Sequence, residues 1–107
     1  MNDSIKLIQG SIAPEAIARC IADYSKQTQR GAHSIFLGQV RNDAIEGREV
    51  KAIEYNTYEA MAYEVADKIV QQVITKFELT EVRIFHSLGL VAAGEICLFV
   101  IAVSKHR

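Results

Sequence analysis

Tryptophan is absent from this chain of 107 residues, proline occurs once, and the six glycines form no low-complexity run. That scarcity excludes collagen-like and disordered classes, whose chains are dense in proline, glycine or polar repeats. Charge of one sign is also missing: twelve Lys and Arg stand against thirteen Asp and Glu, a formal net charge of −1. A protein that grips nucleic acid through a broad basic field is not expected from that balance. The longest uninterrupted apolar run, Ile96 to Val103, has eight residues, against the roughly 20 of a membrane helix. The opening MNDSIKLIQG lacks the basic and apolar regions of a signal peptide. A cytoplasmic protein without membrane contact is the expectation.

Reactive motifs are equally scarce. Cys20 and Cys97 lie far apart, each inside an apolar pattern, with no CxxC or Cys/His spacing. They read as buried, inert thiols, with neither a disulfide nor a bound metal expected. The chain has no GxSxG, no Ser-His-Asp ordering, no GxGxxG and no GxxxxGK[ST]. Nothing in it suggests a resident cofactor or an activated nucleophile.

Half of the residues are hydrophobic, enough for one cored domain over residues 1–107. Ile5 to Gln9 reads as a short strand closed by Gly10. Pro14 suits the first turn of a helix, and Ile17, Cys20 and Tyr24 recur at helical spacing to about residue 25. Ala32 to Arg41 reads as a strand covered on both faces in its middle, with Gly38 marking a bulge or close approach. A polar loop with Gly47 as turn residue leads to a strand over Val50–Tyr55. Asn56 and Glu59 resemble a capping box. Behind them Met61, Val65, Ile69, Val73 and Phe77 repeat every four residues, and Ala62, Ala66, Val70 and Ile74 widen the stripe. This predicts a helix over 59–78 with one broad apolar face. Glu81 to His86 and Leu88 to Ala92 read as two strands, with turns at Gly89 and Gly94. Ile96 to Val103 reads as a central strand buried on both sides. The order predicts an α+β fold with two main helices and a mainly antiparallel sheet.

Two strands end in basic residues: Arg41 after one, Lys105, His106 and Arg107 after the other. If these ends converge on one sheet edge, their donors suit a phosphate or carboxylate. His33 reads as a surface residue, His86 as a structural one, and Glu54, Glu59 and Glu64 as too dispersed to act as a carboxylate pair. An enzyme built this way needs its reactive atom brought by something else.

Four segments resemble one family in register. Gly31-Ala32 with Phe36, Gly38, Val40, Arg41 and Asn42 resembles the GA…F-x-G-x-V-R-N signature of the large, catalytic subunit of molybdopterin synthase, the MoaE family. Tyr58 to Ala62 resembles its YEAM-type helix start, His86 to Gly89 with Gly94-Glu95 its H-x-x-G…G-E segment, and Ser104 to Arg107 its S-x-H-R ending. The resemblance implies an alpha/beta hammerhead-type fold and a homodimer of large subunits. It also implies a small ubiquitin-like sulfur-carrier subunit at each end, whose thiocarboxylated C-terminus enters the pocket. The implied substrate is cyclic pyranopterin monophosphate (precursor Z), converted to the dithiolene of molybdopterin by two sulfur transfers. The resemblance assigns the substrate's anionic group to Arg41, with Gln39 and Val40 lining the same strand end. His106 and Arg107 complete the pocket across the dimer interface, and His106 is suited to moving a proton. Phe36 is expected either beneath the pocket or as a core aromatic.

The sequence departs from that family in two places. Ser87 stands where many relatives carry Arg, read as a tolerated surface change. Relatives continue past the H-R pair into a segment with two active-site lysines, and a form ending at Arg107 is expected to bind substrate weakly and turn over slowly or not at all. Two other readings stand beside it: a truncated, non-catalytic partner, which the missing lysine segment suggests, and a ferredoxin-like or ACT-type small-ligand-binding dimer, which the element order also suits.

Overall fold

The computed structural model describes residues 4–107, and at Ile45 the backbone alone; residues 1–3 of the expected domain lie outside the described residues. Among the described residues nine elements follow one another: β1 (Ile5–Gln9), α1 (Pro14–Ser25), β2 (Ala32–Gln39), β3 (Ala44–Ile45), β4 (Arg48–Glu49), β5 (Ala52–Tyr55), α2 (Glu59–Phe77), β6 (Glu81–Ala92) and β7 (Ile96–Ser104). The main sheet runs β1-β6-β7-β2, with β5 added to the far part of β6. Only β1 and β6 are parallel; β2/β7, β6/β7 and β5/β6 are antiparallel. The fold is therefore α+β with two helices and a mainly antiparallel sheet, as the pattern predicts.

Helix α1 starts at Pro14, whose absent N–H costs nothing in the first turn. Its buried face, Ile17, Cys20 and Tyr24, packs on Phe85, Phe99, Ile101 and Val103 of β6 and β7. Phe85 and Phe99 meet edge to face, ring centroids 5.3 Å apart. A second cluster, Val40, Val91 and Cys97, lies under Tyr55 and Leu98. The molecule is elongated, 50 × 27 × 21 Å, with a radius of gyration of 15.5 Å against about 13 Å for a compact chain this long. Both cysteines are free and buried, and burial pushes the Cys20 thiol above its ordinary range. Among the described residues no helix is long and apolar enough to cross a membrane.

Several expectations are corrected. Strand β7 alternates, with Cys97, Phe99, Ile101 and Val103 buried and the residues between them partly exposed, because α1 closes only one face. Strand β2 is not covered in its middle: it is an edge strand paired only with β7, and Ile35, Phe36 and Leu37 are exposed. Helix α2 rests on Ala66 and Val70, while Met61, Val65, Ile69 and Phe77, expected in the core, face outward. The capping box does not form; Tyr58 is the N-cap and makes no side-chain capping bond. Glu59 in the first turn instead complements the helix dipole. Strand β6 is continuous through Gly89, which sits at a φ of 78°. Its pairing passes there from β1 and β7 to β5. The polar loop contains a hairpin, β3/β4, turning on Glu46 and Gly47, both at positive φ, the geometry of a two-residue hairpin turn.

The Tyr24 hydroxyl donates to the Glu81 carboxylate. Burial, then this bond, hold its pKa above the ordinary value of 10.0. The unfolded tyrosine ionises near pH 10, while the folded one keeps its proton, so the folded state binds more protons above that pH. This contribution is complete below about pH 10 and is lost as pH rises further. Thermal melts of wild type should fall steeply above that pH, and Tyr24→Phe should flatten the alkaline limb.

Candidate functional site

The β2/β7 ladder determines where the predicted residues go. Its register pairs Ala32 with Ser104 and Gln39 with Ile96. Because the strands are antiparallel, the exit of β2 lies beside the start of β7, and the exit of β7 beside the start of β2. Arg41 and the pair His106, Arg107 thus sit beyond opposite ends of a ladder about 24 Å long at strand rise. The expected convergence on one edge does not occur within one copy of the chain.

At the first end, β2 shifts register between Gly38 and Gln39, the irregularity predicted at Gly38. A Cβ on Gly38 would stand 3.1 Å from Leu98 Cβ, so both the bulge and the close approach are present. Val40 is buried and clamped by backbone: its N–H donates to Glu95 O (3.0 Å) and its carbonyl accepts from Gly94 N–H (2.8 Å). The clamp directs Arg41 outward, its side chain 81% exposed, where Nε lies 3.0 Å from Asp43 Oδ1 and Nη2 donates to Oδ2 at 3.0 Å. Gln39, Val40 and Arg41, with Asn42, Ala93 and Gly94, line a shallow cavity of about 320 Å³. The structure brings those three predicted residues together.

At the second end, the α1–β2 connection lies directly on the tail of β7. Gly31 N–H donates to Ser104 O at 2.9 Å. A Cβ on Gly31 would meet the Lys105 carbonyl oxygen at 2.4 Å, so only glycine permits this approach. Ser104 shapes the tail: its hydroxyl donates to His106 O (2.8 Å) and accepts from His106 N–H (3.2 Å). Residues 28–31 and 105–107 line a polar cavity of about 320 Å³ containing Arg30, Lys105, His106 and Arg107. His106 and Arg107 are together as expected. Arg30 went unrecognised in the sequence, where it only closes a polar stretch; the strand register reveals it.

The other candidates separate. Phe36 is 60% exposed in mid-strand, lining neither cavity and belonging to no core, because β2 is an edge. His33 is exposed, its ring tilted against that of Tyr24 with centroids 5.6 Å apart. His86 Nδ1 donates to Ser87 O at 2.7 Å, and the ring meets Tyr55 edge-on at 5.3 Å, a structural role. Ser87 is not a surface position: it is 0% exposed, and its Oγ is without a partner among the described residues.

Residues 9–107 match the family model described as MoaE protein. The molybdopterin synthase catalytic subunit of Dictyostelium discoideum is 38% identical over 79 residues, covering 72% of this chain and 49% of that protein. The subunit of that name from Homo sapiens is 36% identical over 77 residues, covering 72% and 40%. The chain spans about half or less of the length of these curated relatives. Among solved structures, a complex of subunits 1 and 2 of molybdopterin-converting factor from Helicobacter pylori matches with a TM-score of 0.80 at 21% identity, over 97% of this chain and 67% of that one. Molybdopterin synthase from Staphylococcus aureus matches at 0.75 and 24% identity, over 95% and 71%. These likenesses carry the fold, and the family model, which matches almost all of this chain, carries the assignment: the chain belongs to the MoaE protein family.

Proposed function

We propose that this chain acts as the large subunit of a molybdopterin synthase. In that reading it binds cyclic pyranopterin monophosphate, and a small ubiquitin-like carrier delivers sulfur as a C-terminal thiocarboxylate to build the dithiolene. Both thiols of this chain are buried, so the sulfur nucleophile comes from the carrier. The chain's own task is to hold an anionic pterin, exclude water and offset charge as sulfur adds. Arg41 donates to the anionic substrate, with Gln39 and Val40 shaping that end. Arg107 contributes a second guanidinium, and His106 an imidazole suited to passing a proton.

The observation that carries this reading is the antiparallel separation of Arg41 from His106 and Arg107. One copy supplies half of the donors at each end, so the pocket is completed by a second copy. Strand β2 is an uncovered edge with Ile35, Phe36 and Leu37 exposed, the kind of edge that proteins cover. Pairing β2 with its mate about a twofold axis runs the two strands antiparallel and sets the Arg41 end of one beside the Gly31 end of the other. The outward apolar row of α2 adds surface that a homodimer buries.

Reconstitution with a thiocarboxylated carrier and the cyclic pterin phosphate tests the reading, with dithiolene formation and pterin binding read together. Arg41→Ala should weaken pterin binding roughly 10- to 100-fold, the loss of a charge-assisted bidentate contact. A chain that binds the carrier but neither retains the pterin nor yields dithiolene would be the non-catalytic partner instead.

A further inference from the structure

We propose that Glu95 is a positioning residue for Arg41: its carboxylate braces the turn between β6 and β7, and through that turn fixes where the Arg41 guanidinium stands. The ligand that Arg41 takes rests on the proposed function; the brace does not.

The turn runs from Ala92 to Glu95 and is closed by the Glu95 N–H donating to Ala92 O at 3.0 Å. Gly94 inside it stands at a φ of 91°, and glycine has the most backbone freedom to leave any one conformation. Ala92, Ala93 and Gly94 carry no polar side chain that could steady it. Glu95 does, and it reaches back: its Oε1 accepts from the Ala92 N–H at 2.9 Å. Residues 92 and 95 are thus joined twice, once through backbone and once through a charge-assisted bond.

Two further strands are tied to this turn. Val40, at the exit of β2, donates to Glu95 O and accepts from the Gly94 N–H, and the Ala93 N–H donates to Lys51 O at 2.7 Å just ahead of β5. The excursion from Arg41 to Val50, which contains the β3/β4 hairpin, is therefore rooted on residues 93–95 at both sides. Arg41 is its first residue and follows directly on the carbonyl that Gly94 holds. A shift of Gly94 or Glu95 carries Arg41 with it, and a guanidinium fork loses its grip when its direction changes. Glu95 does not line the cavity that Arg41 shares with Ala93 and Gly94, so it acts through Arg41 and not on a ligand. Its negative charge would only repel an anion there; what it contributes is the acceptor.

Two readouts on the whole chain test this: the Arg41 Nε–H signal by NMR without ligand, and binding of the cyclic pterin phosphate. Glu95→Ala should move the Arg41 signal and weaken pterin binding about 5-fold, with the melting temperature within a few degrees of the parent's. Glu95→Gln keeps the acceptor without the charge and should restore both. In an Arg41→Ala chain, Glu95→Ala should cost no further affinity, because the two act as one unit. An Arg41 signal unmoved by Glu95→Ala would overturn the brace. So would an equal loss of affinity in the Arg41→Ala background, or Ala and Gln variants that bind alike. A moved Arg41 signal together with pterin binding indifferent to Arg41→Ala would support the brace while refuting the ligand assigned to Arg41.

Discussion

Refolded together in equal amounts, Arg41→Ala and His106→Ala chains should regain about a quarter of the parent's tight sites for the cyclic pterin phosphate, although each variant alone has almost none. The expectation follows from the register, which places Arg41 and His106 at opposite ends of one ladder. A twofold dimer then builds each pocket from the Arg41 end of one copy and the His106 end of the other. Random mixing makes half of the dimers mixed. In each of these, one pocket inherits both substitutions and the other inherits neither. Counting sites by pterin fluorescence distinguishes this from a pocket made within one chain, for which the mixture stays as empty as its components. A result near zero, with dimers shown to exchange, would remove the second copy from the site.

Replacing Gly31 by alanine should have the largest effect on stability of any one-carbon change in the chain. The new Cβ would stand 2.4 Å from the Lys105 carbonyl oxygen and 3.1 Å from its carbon. Those atoms are backbone and cannot swing aside, so β2 and the β7 tail must separate, straining the Gly31–Ser104 hydrogen bond. Overpacking of this kind costs about 3 kcal/mol, which lowers the melting temperature of a domain this size by roughly 10–20 °C. Gly38→Ala is the comparison: its Cβ would meet Leu98 Cβ at 3.1 Å, an overlap that a shift of a few tenths of an ångström relieves. A Gly31→Ala melt within a few degrees of that of Gly38→Ala would show that the tail is free to move away.

Much of the local structure was legible because local chemistry decides it. Pro14 and the spacing of Ile17, Cys20 and Tyr24 marked α1 to within its observed bounds, and Gly38 marked the bulge. The errors share one cause. Alternation and helical spacing report that a side chain is apolar, not that anything covers it. Phe36 and Leu37 were therefore read as covered although β2 is an edge, and Met61, Val65 and Ile69 as core although α2 seats the neighbouring row. Ser87, polar and next to a glycine, read as surface although the sheet encloses it completely.

The sequence by itself determined the kinds of element, the two buried thiols and the basic residues that close β2 and β7. Composition, capping and periodicity act over a few residues and survive any arrangement of the strands. Only the tertiary structure decided which basic residues meet. Antiparallel pairing of β2 with β7 is a long-range choice, and it drew Arg41 away from His106 and Arg107. The same register carried Arg30, distant in sequence, into their company. Contacts between residues more than seventy positions apart are set by which strand ends lie side by side, and no local pattern encodes that.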